Sequence, residues 1–195
     1  MHHIFKQGTQ EPVFVLLHGT GGDENSLLEI GEMLNEKASI LSIRGNVLEG
    51  NMPRFFRRVT EGVYDEADLT LRGNELRAFI KEAAANYHFD LRQVILVGYS
   101  NGANIAMQLL LHEPELFQKA ILFHPMFPVE NLPIYSLEKT HIFTTLGEQD
   151  PIVSISDSLH VIKVLEERHA VVTKLWTANH QLTYQEILAA KQWLA

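Results

Sequence analysis

Along the chain, short, mostly apolar runs alternate with longer segments whose apolar residues recur at helical spacing. The runs fall at residues 13–17, 38–43, 93–97, 119–123, 141–146 and 171–176. Each has the length of a strand buried on both faces. Between them, residues 24–37 carry Leu27, Leu28, Ile30, Met33 and Leu34 on one helical face. Residues 69–87 do the same with Leu76, Phe79, Ile80 and Ala83, and residues 154–169 with Ile155, Leu159, Ile162, Val164 and Leu165. Residues 103–112 and 183–194 complete the predicted helices. Strand–helix alternation with solid apolar strands predicts a mostly parallel central sheet covered by helices on both faces. Ligands in such sheets bind beyond the carboxyl ends of the strands. That rule ranks candidate residues by where they fall along each strand.

Composition narrows the chemistry. The 195 residues fit a single domain spanning 1–195. A formal net charge of −8 argues against a nucleic-acid partner. No cysteine is present, which removes disulfides, zinc–thiolate and iron–sulfur sites, and any thiol nucleophile. The first residues lack the apolar run of a secretion signal, and no segment reaches membrane-spanning length, so a cytoplasmic protein with no membrane span is expected. Ten histidines remain to be accounted for. None lies in an H-E-x-x-H or comparable cluster, so no metal is expected.

After the third apolar run stands Gly98-Tyr99-Ser100-Asn101-Gly102. It matches G-x-S-x-G with a strand before it and a helix after it, the context of a nucleophile elbow. In that chain order an acid and then a histidine follow the serine, each just past a later strand. Asp150, in Leu146-Gly147-Glu148-Gln149-Asp150-Pro151, is the expected acid, with Glu148 as its competitor. His180, in the loop after the last strand, is the expected base. The remaining histidines fall at the terminus, on helices or at the wrong strand edge, apart from His18 and His124. His124 competes for a substrate contact, whereas His18 reads as structural. The loop Leu17-His18-Gly19-Thr20-Gly21-Gly22-Asp23 follows the first predicted strand. The backbone amides of Thr20 and Asn101 are the expected oxyanion donors.

Taken together, the His18–Asp23 loop, the Arg44-Gly45-Asn46 and Pro53-Arg54-Phe55-Phe56-Arg57-Arg58 segments, Gly98–Asn104, Asp150-Pro151 and His180 resemble the bacterial phospholipase/carboxylesterase family of α/β-hydrolases. That family includes acyl-protein thioesterases. The resemblance covers essentially the whole chain. It implies an α/β-hydrolase fold and a cofactor-free serine hydrolase of carboxylic esters or thioesters, often a homodimer. Two positions depart from it. Asn101 stands where the thioesterases usually carry glutamine, and Ala178-Asn179 precede His180 where a glycine is common.

The predicted core elements use up the length, so no cap domain is expected and the site should be open, walled by residues 44–69 and 124–137. His18, Phe55, His124, Met126 and Phe127 are the candidate pocket residues. Arg54, Arg57 and Arg58 read either as a contact for an anionic substrate group or as a solvated or subunit-interface face. The leading expectation is a carboxylic ester hydrolase taking a small-molecule ester through a Ser-His-Asp triad and an acyl-enzyme. The alternatives are an acyl thioesterase or lysophospholipase on longer chains, and a non-catalytic ligand receptor on the same fold.

Overall fold

The computed structural model describes residues 1–195. In chain order the elements are β1 (His3–Lys6), β2 (Gln10–Leu17), α1 (Leu28–Leu34), β3 (Ala38–Ile43), β4 (Val47–Glu49), β5 (Met52–Arg54), β6 (Arg58–Thr60), β7 (Val63–Tyr64) and α2 (Glu66–Tyr87). A 3-10 turn at Leu91–Gln93 leads into β8 (Val94–Tyr99), α3 (Asn101–His112), β9 (Lys119–Phe123), β10 (His141–Gly147), α4 (Ile155–Glu166), β11 (Val171–Thr177) and α5 (Tyr184–Leu194).

Seven strands form one sheet in the order β1-β3-β2-β8-β9-β10-β11. All neighbours pair in parallel except β1, which runs antiparallel to β3 at one edge. The runs in β2, β3, β8, β9 and β10 are buried on both faces, the pleat sending alternate residues to opposite sides. The run in β11, expected to be buried likewise, is largely exposed because that strand forms the edge of the sheet. Val13, Val15 and Leu17 join the larger core beneath α2, α3 and α4, while Phe14 and Leu16 join the smaller one beneath α1 and α5. Burying each such side chain contributes roughly 1.5–3 kcal/mol. Helix α3 is buried on all sides over its first eleven residues, as its nearly continuous apolar composition requires.

Three departures from the sequence reading have local causes. The helix expected over 24–37 is confined to Leu28–Leu34. Upstream, Asp23 Oδ1 accepts from the Asn25 N–H (2.9 Å) and Ser26 Oγ from the Asp23 N–H (2.9 Å), so side chains capture the backbone in turns. Strand β1 was not expected; its mixed composition suits a partly buried edge. Finally, the 44–69 segment folds into two hairpins, β4–β5 and β6–β7, with Gly50 and Gly62 supplying the positive φ at the turns.

The chain leaves β2 toward β3 and β1 on one side of the sheet, then returns to β8 and continues outward on the other. The reversal opens a crevice between the carboxyl ends of β2 and β8. Here the elbow meets the end of β2. A Cβ on Gly102 would lie 1.9 Å from the Leu17 carbonyl oxygen. Below Leu17, His18 is buried and pins the loop. Its Nδ1–H donates to the Gly19 carbonyl (2.6 Å), and its Nε2 accepts from the Gly45 N–H (3.0 Å). Burial, the largest influence, pushes the His18 imidazole below its ordinary value and outweighs the hydrogen bond to Gly19.

Two outcomes follow from these contacts. Gly102→Ala is expected to lose about 3 kcal/mol in denaturant unfolding, because neither backbone can yield without moving the sheet. His18 is held neutral when folded, so the unfolded chain binds its proton first as pH falls. Stability should therefore decline from about pH 6.5 downward. In thermal unfolding between about pH 7 and pH 5, His18→Gln should flatten that slope while lowering the midpoint at all pH values.

Candidate active site

Sheet register brings the candidate residues together. Gly147 of β10 pairs with Thr177 of β11. The ladder then continues through Glu148 N–H to the Thr177 carbonyl and Gln149 N–H to the Ala178 carbonyl, both 2.8 Å. Asp150 and His180, each three residues beyond that pair, emerge side by side. On the other side Tyr99 of β8 pairs with Phe123 of β9, so Ser100 and His124 leave the sheet at one level.

Ser100 sits at φ 51°, ψ −115°, immediately before α3. A non-glycine residue held there costs about 1–3 kcal/mol. Its N–H donates to the Phe123 carbonyl (2.9 Å), and its Oγ lies 3.0 Å from His180 Nε2. His180 Nδ1 lies 2.7 Å from Asp150 Oδ2. The ring is further fixed by the Tyr99 hydroxyl, which donates to the His180 carbonyl (3.1 Å). Asp150 Oδ1 accepts from the N–H groups of Ile152 (2.8 Å) and Val153 (2.9 Å). Burial alone would raise the Asp150 carboxyl. The two amides and His180 outweigh it and hold the carboxyl below the usual range. Glu148, the competing acid, is exposed, and the carboxylate that meets His180 is that of Asp150.

The two expected oxyanion donors flank the serine. Gly21 N–H is spent on the Pro53 carbonyl (2.9 Å) and Gly22 N–H on the Gly19 carbonyl (3.0 Å), while Thr20 N–H has no backbone acceptor. Asn101 is the first residue of α3, and a first-turn amide has no partner within its helix.

A cleft of about 340 Å³ opens beside Ser100. Of the candidate pocket residues, His124 and Met126 line it. His18, Phe55 and Phe127 do not: all three are buried behind the walls, with Phe55 packed on His18 and Phe127 edge-on to Tyr64. Large aromatic residues in the wall segments served the core, because burying them gains more than lining an open cleft. Arg54 and Arg58 face the cleft and share Glu49 at 3.0 and 2.8 Å. Arg57 turns away to Asp65 and Asp68.

Sequence reasoning missed several residues. Asn104 Oδ1 accepts from the Met126 N–H (2.8 Å), and Asn101 Oδ1 from the Phe55 N–H (2.8 Å). The first turn of α3 thereby anchors both walls. Two asparagines one turn apart at the start of a mostly apolar helix were the available signal. Tyr64, Ile152 and Val153 also line the cleft, brought there by the second hairpin and the Asp150 loop. Glu186, wholly buried on α5, pairs with His124 at 2.7 Å.

Ligand atoms of His124, Asp150 and His180 lie within 4.8 Å of one another. The Ile152 and Val153 amides already occupy Asp150 Oδ1, and His180 Nδ1 contacts Oδ2. A larger hollow of about 880 Å³ lies near the opposite end of the sheet, between α1 and α5, and contains no serine or histidine. No helix is long and apolar enough to cross a membrane.

Comparison with known proteins agrees with this architecture. Residues 4–184 match the Dienelactone hydrolase family. MhqD of Bacillus subtilis (strain 168) is 43% identical over 194 residues, which are 99% of this chain and 97% of that protein. A Bacillus cereus carboxylesterase of known structure superposes with a TM-score of 0.95 at 46% identity, covering 98% of this chain and 92% of its own. YahD, solved with malic acid, superposes with a TM-score of 0.94 at 33% identity, covering 99% and 97%. The chain belongs to the dienelactone hydrolase family, within the α/β-hydrolase superfamily.

Proposed function

We propose that the protein hydrolyses small carboxylic esters by acyl transfer to Ser100. The observation that carries this reading is the unbroken hydrogen-bonded chain from Ser100 Oγ through His180 to Asp150, at 3.0 and 2.7 Å, on a strained elbow beside a cleft. Ser100 Oγ attacks the carbonyl carbon while His180 Nε2 takes its proton. The oxyanion receives hydrogen bonds from the Thr20 and Asn101 amides, with the N-terminus of α3 adding positive potential. His180 returns the proton to the leaving alkoxide, and the alcohol departs. Water, deprotonated by His180, then attacks the acyl-enzyme and releases the carboxylic acid and Ser100. Asp150 holds the ring with its Nδ1–H directed inward, so that Nε2 faces the serine.

The cleft volume of about 340 Å³ favours a short acyl or compact leaving group over a long acyl chain. Its walls combine the apolar surfaces of Met126, Ile152 and Val153 with the cations of Arg54 and Arg58.

Turnover of p-nitrophenyl esters should fall steeply with acyl length beyond a few carbons. A maximum at long-chain esters or acyl thioesters would instead favour a thioesterase or lysophospholipase. Ser100→Ala should lose about 10⁴-fold or more in kcat and all labelling by a fluorophosphonate. Undiminished turnover in that variant sinks the proposal, as does ester binding without turnover by the unaltered protein.

Asp150→Asn should lose about 10³-fold in kcat through the wrong ring tautomer. The Asp150 carboxyl titrates below its unfolded value, so its stabilising effect is present above about pH 4 and is lost in stronger acid. Acid unfolding of Asp150→Asn should accordingly be less steep below about pH 4.

A further inference from the structure

Beside the triad lies a second histidine–carboxylate couple that the chemistry above does not use. His124 follows β9 with φ 52°, a left-handed conformation unusual for a side-chain-bearing residue, and its N–H donates to the Thr145 carbonyl (3.0 Å). Its ring is fully buried. Nε2 lies 2.7 Å from Glu186 Oε1. The other Glu186 oxygen accepts from the Thr183 N–H (2.8 Å) and hydroxyl (2.7 Å), as the N3 residue of the α5 capping box. A carboxylate only accepts, so His124 Nε2 carries a hydrogen.

His124 Nδ1 is buried, has no hydrogen-bond partner, and stands 3.8 Å from Asp150 Oδ2. That is the same oxygen that receives His180 Nδ1. Asp150 Oδ1 is saturated by two amides, so the remaining acceptor capacity of Oδ2 faces His124. A bare ring nitrogen there would set one lone pair against another at a buried position. A hydrogen on Nδ1 turns that opposition into an attractive contact and places a cation between two buried carboxylates.

We propose that His124, carrying hydrogens on both ring nitrogens and held by Glu186, is a positioning residue for Asp150: it braces the carboxylate from the side opposite His180 and draws off part of its charge. This rests on reading Asp150 as the acid of the triad. The groups facing His124 are Glu186 from α5, Asp150 and His180 from the loops after β10 and β11, and Tyr99 from β8, whose ring centroid is 6.3 Å away. The His124 and His180 rings are 5.3 Å apart between centroids. A positive charge on His124 therefore faces the imidazolium that forms on His180 during turnover. Both carboxylates, Asp150 and Glu186, are held ionised against their burial: by the amides of Val153 and Ile152 with His180 for Asp150, and by His124 with Thr183 for Glu186.

Nitrogen-15 spectra of histidine-labelled, unaltered protein at neutral pH should give two ring N–H hydrogens for His124. A single hydrogen overturns the proposal, whatever the esterase assays return. His124→Gln, with its fold checked by circular dichroism, should shift the acid limb of the kcat/KM profile upward by about one pH unit. Its kcat should fall about tenfold while KM changes less than about twofold. Glu186→Gln keeps a residue type that the capping box accepts and should also lower kcat. An unmoved acid limb in folded His124→Gln reduces the pair to a structural contact and overturns the proposal. Failure of the Ser100→Ala test would overturn the triad reading instead, and the labelled spectrum would still report the state of His124.

Discussion

The backbones of Gly102 and Leu17 approach so closely that no side chain fits between them, and the site is arranged around that contact. It seats the N-terminus of α3 against the carboxyl end of β2. The strained serine, the Asn101 amide and the Thr20 loop therefore share one crevice. The same first turn carries Asn101 and Asn104, whose side chains hold the Phe55 and Met126 amides and fix the two walls. The strain at Ser100 persists because strands and helix packed around it leave the chain no other course.

Burying carboxylates beside this crevice sets the second condition. Asp150 and Glu186 each have one oxygen occupied by local N–H or hydroxyl donors from the start of a following helix or turn, and the other turned toward a histidine. A turn for Asp150 and a helix cap for Glu186 thus supply ionised, oriented carboxylates in a poorly solvated place, where an unpaired charge would be costly. His18 meets the same constraint differently: buried with one donor and one acceptor contact, it stays neutral and serves the loop. Three histidines within one neighbourhood stand in different environments because their partners differ.

Much of this was readable along the chain. Mostly apolar runs mark the central strands, since both sides of the pleat there face a packed core. The G-x-S-x-G segment between such a run and an apolar helix marks the elbow. Chain order and strand edges single out Asp150 and His180 among many acids and ten histidines. Less legible were features in which local polar chemistry competes with periodicity. Asp23, Asn25 and Ser26 shorten α1 by capturing backbone groups, and Gly50 and Gly62 make hairpins of a segment read as a loop.

By itself, then, the sequence determined the α/β architecture and pointed to Ser100, Asp150 and His180 as the candidate nucleophile, acid and base. Those depend on periodicity, turn chemistry and order, which are properties of neighbouring residues. Only the tertiary structure decided which wall residues face the cleft. Phe55 and Phe127 went to the core, while Tyr64, Arg54 and Arg58 came to the opening. It also decided that His124 would meet Glu186, 62 residues away. Such pairings depend on sheet register and helix placement, and a buried polar group takes whichever partner that packing delivers, because being left without one costs more than any local preference.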